Sequence, residues 1–151
     1  MLWPDEAACS STAASFADRT PLRDAFVELH GPLGAGKTTF VRHLLQALGI
    51  EGRVKSPTYT LMEPYRSNAA HGAFEIAHFD FYRFDDAQEW EDAGFREVFA
   101  NPGLKLVEWP EKAAELLPRC DLRLAILPDD EGTMRRVRID AMTPRGAELL
   151  S

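Results

Sequence analysis

The residues with the clearest chemical meaning stand together at positions 31–38, which read Gly-Pro-Leu-Gly-Ala-Gly-Lys-Thr. They fit the pattern G-x-x-x-x-G-K-[ST] at every fixed position. Glycine allows backbone turns that a side chain forbids, so the chain can wrap closely around a phosphate group. The amides of Gly34, Ala35 and Gly36 then point inward, and the N-terminus of a following helix adds partial positive charge. In such a loop Lys37 reaches the β- and γ-phosphates, Thr38 offers its hydroxyl to Mg2+, and Thr39 is placed for the α-phosphate. The plain alternative is a glycine-rich turn that only caps a helix. The apolar strand expected before the loop and the amphipathic helix expected after it favour phosphate binding. The chain is therefore expected to bind a nucleoside triphosphate with Mg2+, ATP first among the candidates. It has no Asn-Lys-x-Asp segment of the kind that selects guanine.

A magnesium site of this kind needs a second anchor, an acidic residue at the end of a neighbouring strand. Asp80 follows the apolar stretch 74–79, and Glu108 follows the stretch 104–107. Both stand at C-terminal strand ends, where open α/β sheets place their ligands. Either carboxylate could hold the metal or orient the attacking water. Between the loop and Asp80 lies Ser56-Pro57-Thr58-Tyr59-Thr60, which could be a switch that senses the γ-phosphate or simply a polar loop. Arg83 could reach a phosphate or pair with a carboxylate. His30 and His78, in or beside strands, read as hydrogen-bonded structural residues.

These groups need an alternating framework to hold them. Helices are expected over residues 5–17, 37–48, from Asp85 or Asp86 to Ala93, from Pro110 to about Leu117, and from Pro144. Strands are expected over residues 25–30, 61–65, 74–79, 104–109, 122–127 and 136–141, with Ser67, Asn68 and Gly72 in one turn and 129–132 in another. The alternation implies an α/β fold of three layers with a mixed, largely parallel central sheet, and the length of 151 residues suits one domain over 1–151. With 45% hydrophobic and 27% charged residues the chain reads as globular. It has no apolar run that suits a membrane span or a leader peptide. Cys9 and Cys120 are far apart and form no metal motif. The net charge of −7 argues against a stand-alone grip on nucleic acid. The cluster Arg135, Arg136 and Arg138 reads as a solvated strand face.

Four ordered segments carry a resemblance. They are the loop and its extension to Phe40; Ser56-Pro57-Thr58-Tyr59-Thr60-Leu61 with Glu63-Pro64-Tyr65; His78-Phe79-Asp80-Phe81-Tyr82-Arg83; and Val107-Glu108-Trp109-Pro110. Together they resemble the TsaE family, small P-loop ATPases of bacterial tRNA threonylcarbamoyladenosine (t6A) synthesis. The resemblance extends over nearly the whole chain, and Phe81 departs from the usual leucine. It implies a cytoplasmic ATPase, weak alone, that turns ATP into ADP and resets a complex of TsaB and TsaD, which hold the tRNA. Residue by residue it implies Lys37, Asp80 and Glu108 as the catalytic set, and Thr38, Asp80 and Glu108 as the metal set. It makes residues 56–60 the switch, and puts Trp109 beside the nucleotide or a partner. It also places Glu6 and Arg136 flanking the base. Two other readings remain open: a small-molecule kinase, which lacks the expected Arg-rich lid, and a non-catalytic module gated by nucleotide.

Overall fold

The computed structural model describes residues 1–68 and 72–151. Seven strands form one sheet: β1 (Leu2–Trp3), β2 (Phe26–His30), β3 (Met62–Ser67), β4 (Phe74–Asp80), β5 (Leu104–Glu108), β6 (Leu122–Pro128) and β7 (Arg135–Ala141). Their order is β1-β7-β6-β2-β5-β4-β3. The four central strands β6, β2, β5 and β4 run parallel, and the pairs at both edges are antiparallel. The expected mixed sheet is thus parallel where it is most buried. β2 and β5 are buried at almost every position, as strands covered on both faces must be, although Glu28, Lys105 and Glu108 interrupt their apolar residues.

Helices α1 (Glu6–Ala17) and α2 (Lys37–Ala47) cover one face, while α3 (Ala87–Ala93) and α4 (Phe95–Ala100) cover the other; α5 (Pro144–Leu150) packs near β7. Phe40, Val41, Leu44 and Leu45 recur at helical spacing on α2 and are buried against Val27, Leu29, Leu104 and Leu106 of the sheet. Phe79, Trp90, Phe95 and Phe99 form the aromatic centre of the second layer. Asp5 caps α1 by accepting the Ala8 amide at 2.9 Å, and Asp86, rather than Asp85, caps α3. Gly94 ends α3 in the left-handed region, as expected, but a further helix, α4, starts directly after it.

Two expectations are corrected. The helix at Pro110 is one 3-10 turn over Pro110–Ala113. Ser67 is no turn residue: it ends β3, fully buried, and its hydroxyl donates to the Leu48 carbonyl at 2.7 Å. That buried bond extends the strand past the predicted boundary. Residues 69–71 of the expected turn lie outside the described residues. Among the described residues no helix is long and apolar enough to cross a membrane.

Both cysteines are buried, and desolvation pushes each thiol up to about 11, assisted by Glu6 beside Cys9 and Glu28 beside Cys120. Only the thiolate reacts with alkylating agents. Iodoacetamide at mildly alkaline pH should therefore label native protein at least about tenfold more slowly than urea-unfolded protein. Mass spectrometry of the labelled peptides checks this; equal rates would contradict the burial.

Candidate functional site

The loop at 31–38 leaves β2 and enters α2, so it lies at the C-terminal edge of the parallel strands. Its glycines are required by geometry. Gly36 precedes α2 at φ 111°, and Gly31 has φ 149° with no room for a side chain: an added Cβ would stand 2.3 Å from the Ile126 carbonyl oxygen.

The register of the sheet brings the acidic residues together. Asp80 and Glu108 are direct neighbours across β4 and β5. Side chains alternate along a strand, so His78 and Asp80 share the face of Ile76, and Glu108 shares the face of Leu104 and Leu106. That is the face covered by α2, whose first turn carries Thr38. Thr38 Oγ1 donates to Glu108 Oε1 at 2.8 Å. The other Glu108 oxygen meets His78 Nε2 at 2.6 Å, and both residues of this pair are buried. His78 Nδ1 has no hydrogen-bond partner among the described residues. Asp80 Oδ1 accepts the Tyr82 amide at 2.9 Å. Its Oδ2 accepts Ser56 Oγ at 3.3 Å and Thr58 Oγ1 at 3.2 Å.

Segment 56–60 is therefore tied to the site at two hydroxyls. It is fixed further where the Leu61 amide donates to Pro57 and the Leu61 carbonyl accepts from Asp80. Pro57 is buried and Tyr59 is exposed, and the Arg83 guanidinium lies 4.9 Å from the Tyr59 ring centre. Arg83 thus stacks on the segment and forms no ion pair among the described residues. Thr60 Oγ1 donates to Met62, away from the carboxylates.

Lys37 is buried and its ammonium donates to the carbonyls of Gly31 and Pro32 while lying 3.8 Å from the Trp109 ring centre. Burial pulls its pKa below the ordinary lysine range, opposed by the carboxylates of Glu108, Glu111 and Asp80. Trp109 holds a left-handed backbone at φ 56°, unusual for so large a residue. Its ring also contacts Tyr82 at 5.0 Å. Strained backbone and buried charge collect where binding is done.

One cleft of about 240 Å³ joins these groups: the loop from Leu33 to Thr39, Ser56, Thr58, Asp80, Glu108 and Trp109 all line it. The hydroxyl of Thr38 and the carboxylates of Asp80 and Glu108 make a hard, all-oxygen donor set of the kind Mg2+ takes. The backbone amides of the loop and the start of α2 suit a phosphate chain. A second cleft of about 410 Å³ continues past Ala35, Gly36 and Thr39 to Trp3, Asp5, Glu6 and Arg135. Glu6, expected beside the base, lines this second cleft and is bonded to His43 at 2.9 Å.

Arg136 does not join this cleft. Val137 is buried under the helices, and Arg135, two residues before it, faces the same way; Arg136 points to the opposite, open side with Leu2. Arg135 Nε donates to the Ala35 carbonyl at 2.8 Å. Counting by twos back from Val137 would have picked Arg135 from sequence. No sequence signal marked the partnership of His78 with Glu108, since it depends on the pairing of β4 with β5.

The family model described as "Threonylcarbamoyl adenosine biosynthesis protein TsaE" matches residues 3–137. The tRNA threonylcarbamoyladenosine biosynthesis protein TsaE of Haemophilus influenzae is 43% identical over 125 residues, which is 83% of this chain and 75% of that protein. The protein of the same name from Bacillus subtilis is 42% identical over 105 residues, 68% of this chain and 63% of its own length. The crystal structure of Bacillus subtilis YdiB superposes with a TM-score of 0.77 at 27% identity, over 99% of this chain and 90% of that one.

Replacing Gly31 by alanine should destabilise the fold by roughly 1–3 kcal/mol, because the new Cβ meets backbone and the φ is strained. Thermal unfolding of the purified variant measures it; an unchanged midpoint would contradict the close approach to Ile126.

Proposed function

Because the chain belongs to the TsaE family of threonylcarbamoyl adenosine biosynthesis proteins, we propose that it is a Mg2+-dependent ATPase that drives the cycle of a TsaB–TsaD complex during t6A formation on tRNA. The observation that carries this reading is the convergence of Thr38, Asp80 and Glu108 at the mouth of the phosphate loop. A site of this kind suits hydrolysis, in which positioning and electrostatic stabilisation do most of the work.

Each residue has a task that its surroundings support. The amides of Gly34, Ala35, Gly36, Lys37, Thr38 and Thr39 hold the phosphate chain at the start of α2. Lys37, already desolvated, exchanges its carbonyl partners for the β- and γ-phosphate oxygens. Thr38, Asp80 and Glu108 would hold Mg2+, which supplies charge neutralisation at the phosphates when bound. Glu108, fixed at one oxygen by His78, keeps the other for the metal shell or for orienting water. Asp80 shares that work and reports on it: its Oδ2 is the atom to which Ser56 and Thr58 are tied, so residues 56–60 act as the switch. Trp109 presses on Lys37 and forms a wall beside the phosphates. The cleft with Glu6 and Arg135 receives the nucleoside, with Arg135 in the role the resemblance gave to Arg136.

The acidic chain leaves the tRNA to its partners, and a cytoplasmic setting follows from that work. The kinase alternative is weaker because α3 and α4, which span the segment where a lid would lie, are anchored by Trp90 and Phe95 in the second core. A gated, non-hydrolysing module would need the same site without turnover, and the assay below separates the two.

Purified chain should release phosphate slowly from ATP and faster when TsaB and TsaD are added. Lys37→Ala and Asp80→Ala should each lower that stimulated rate by about a hundredfold or more. Unchanged rates in both variants would sink the site assignment; binding without turnover would favour the gated module. Removing Mg2+ with a chelator should stop release and restore it on readdition. Nucleotide addition should also change tryptophan emission in the wild type and less in Trp109→Phe, the remaining change coming from Trp3 on the second cleft, since Trp90 is buried in the other core.

A further inference from the structure

Beside the phosphate cleft lies a separate groove of about 620 Å³ lined by Thr38, Arg42, Arg53, Val54, Lys55 and Ser56. Three of its six lining residues are cations and none is acidic, in a chain with 24 acidic and 17 basic side chains. None of the three forms an ion pair among the described residues. Val54 is buried and pins the segment, while Arg53 and Lys55 on either side of it are exposed. Like charges held together and unpaired repel each other, and an opposite charge brought to them gains what the isolated chain lacks.

We propose that this groove is the docking site for a carboxylate-bearing segment of a partner protein, and that its occupation acts on the nucleotide switch. The coupling is covalent and short. Lys55 is followed by Ser56, which bonds Thr58 at 2.9 Å and Asp80 at 3.3 Å. A segment that fixes residues 53–55 also fixes the hydroxyls resting on Asp80. Thr38, which donates to Glu108, forms part of the same groove.

Charge decides the occupant. A nucleic acid needs a long tract of cations to neutralise its phosphates, and three cations on a chain of net charge −7 do not provide one. A short peptide with two or three carboxylates fits the compact groove, and arginine matches carboxylate with paired N–H bonds.

The proposal rests on the reading that the chain works with a TsaB–TsaD complex, and one titration separates the two claims. Labelled chain with a non-hydrolysable ATP analogue is titrated with the TsaB–TsaD complex at low and at high salt. The wild type and the double charge reversal Arg53→Glu with Lys55→Glu are compared, with Arg53→Ala with Lys55→Ala as the milder pair. Wild-type affinity should fall as salt rises. The reversal should weaken it by at least about tenfold, and the alanine pair by less. Affinity for a fluorescent ADP analogue should stay within about twofold in all three, which also shows that the variants are folded. Equal binding of wild type and both variants would overturn the groove and leave the functional reading standing. No binding by the wild type would overturn both. If a tRNA transcript bound the isolated chain and lost affinity in the reversal, the groove would be an RNA contact and the proposal would fail.

Discussion

The hydrogen bond from Thr38 to Glu108 joins the first turn of α2 to the end of β5, and the rest of the site is arranged around it. It exists because β5 lies between β2, which delivers the loop, and β4, which delivers Asp80. The parallel register levels the strand ends, so that a hydroxyl and two carboxylates from three distant parts of the sequence meet. Two apolar layers hold that register: α1 and α2 on one face, the aromatic cluster of α3 and α4 on the other.

This arrangement places Lys37, His78, Asp80 and Glu108 out of water at one end of the sheet. Burying so many ionisable groups is costly unless they pair with each other. Here they do so only in part. Lys37 leans on carbonyls and an indole rather than on a carboxylate. His78 satisfies one nitrogen through Glu108, and Asp80 is met by hydroxyls and an amide. Under the proposed function, a phosphate chain and a metal cation arriving together would stabilise such a set further.

Much of this was legible in the sequence. The loop, the strand before it and the helix after it obey local rules: glycine where φ is positive, apolar residues at helical spacing, a helix started directly behind the turn. Asp80 and Glu108 could be found because each closes an apolar run. What stayed hidden depends on pairing between distant segments. β1 is two residues long and exists only through its contact with β7. Ser67 belongs to a strand because Leu48 offers it a carbonyl inside the core. Arg136 faces away from the cleft that Arg135 lines, because the choice rests on which face of β7 is covered, and that depends on elements far from it in the chain. His78 looked structural and is held by Glu108, a neighbour supplied by another strand.

The most direct test of the account is a crystal structure with a non-hydrolysable ATP analogue and Mn2+ in place of Mg2+, located by its anomalous scattering. One metal peak is expected next to the β- and γ-phosphates, bound by Thr38 Oγ1, with Asp80 and Glu108 around it directly or through single waters. A metal bound elsewhere, or phosphates held away from residues 34–39, would contradict it.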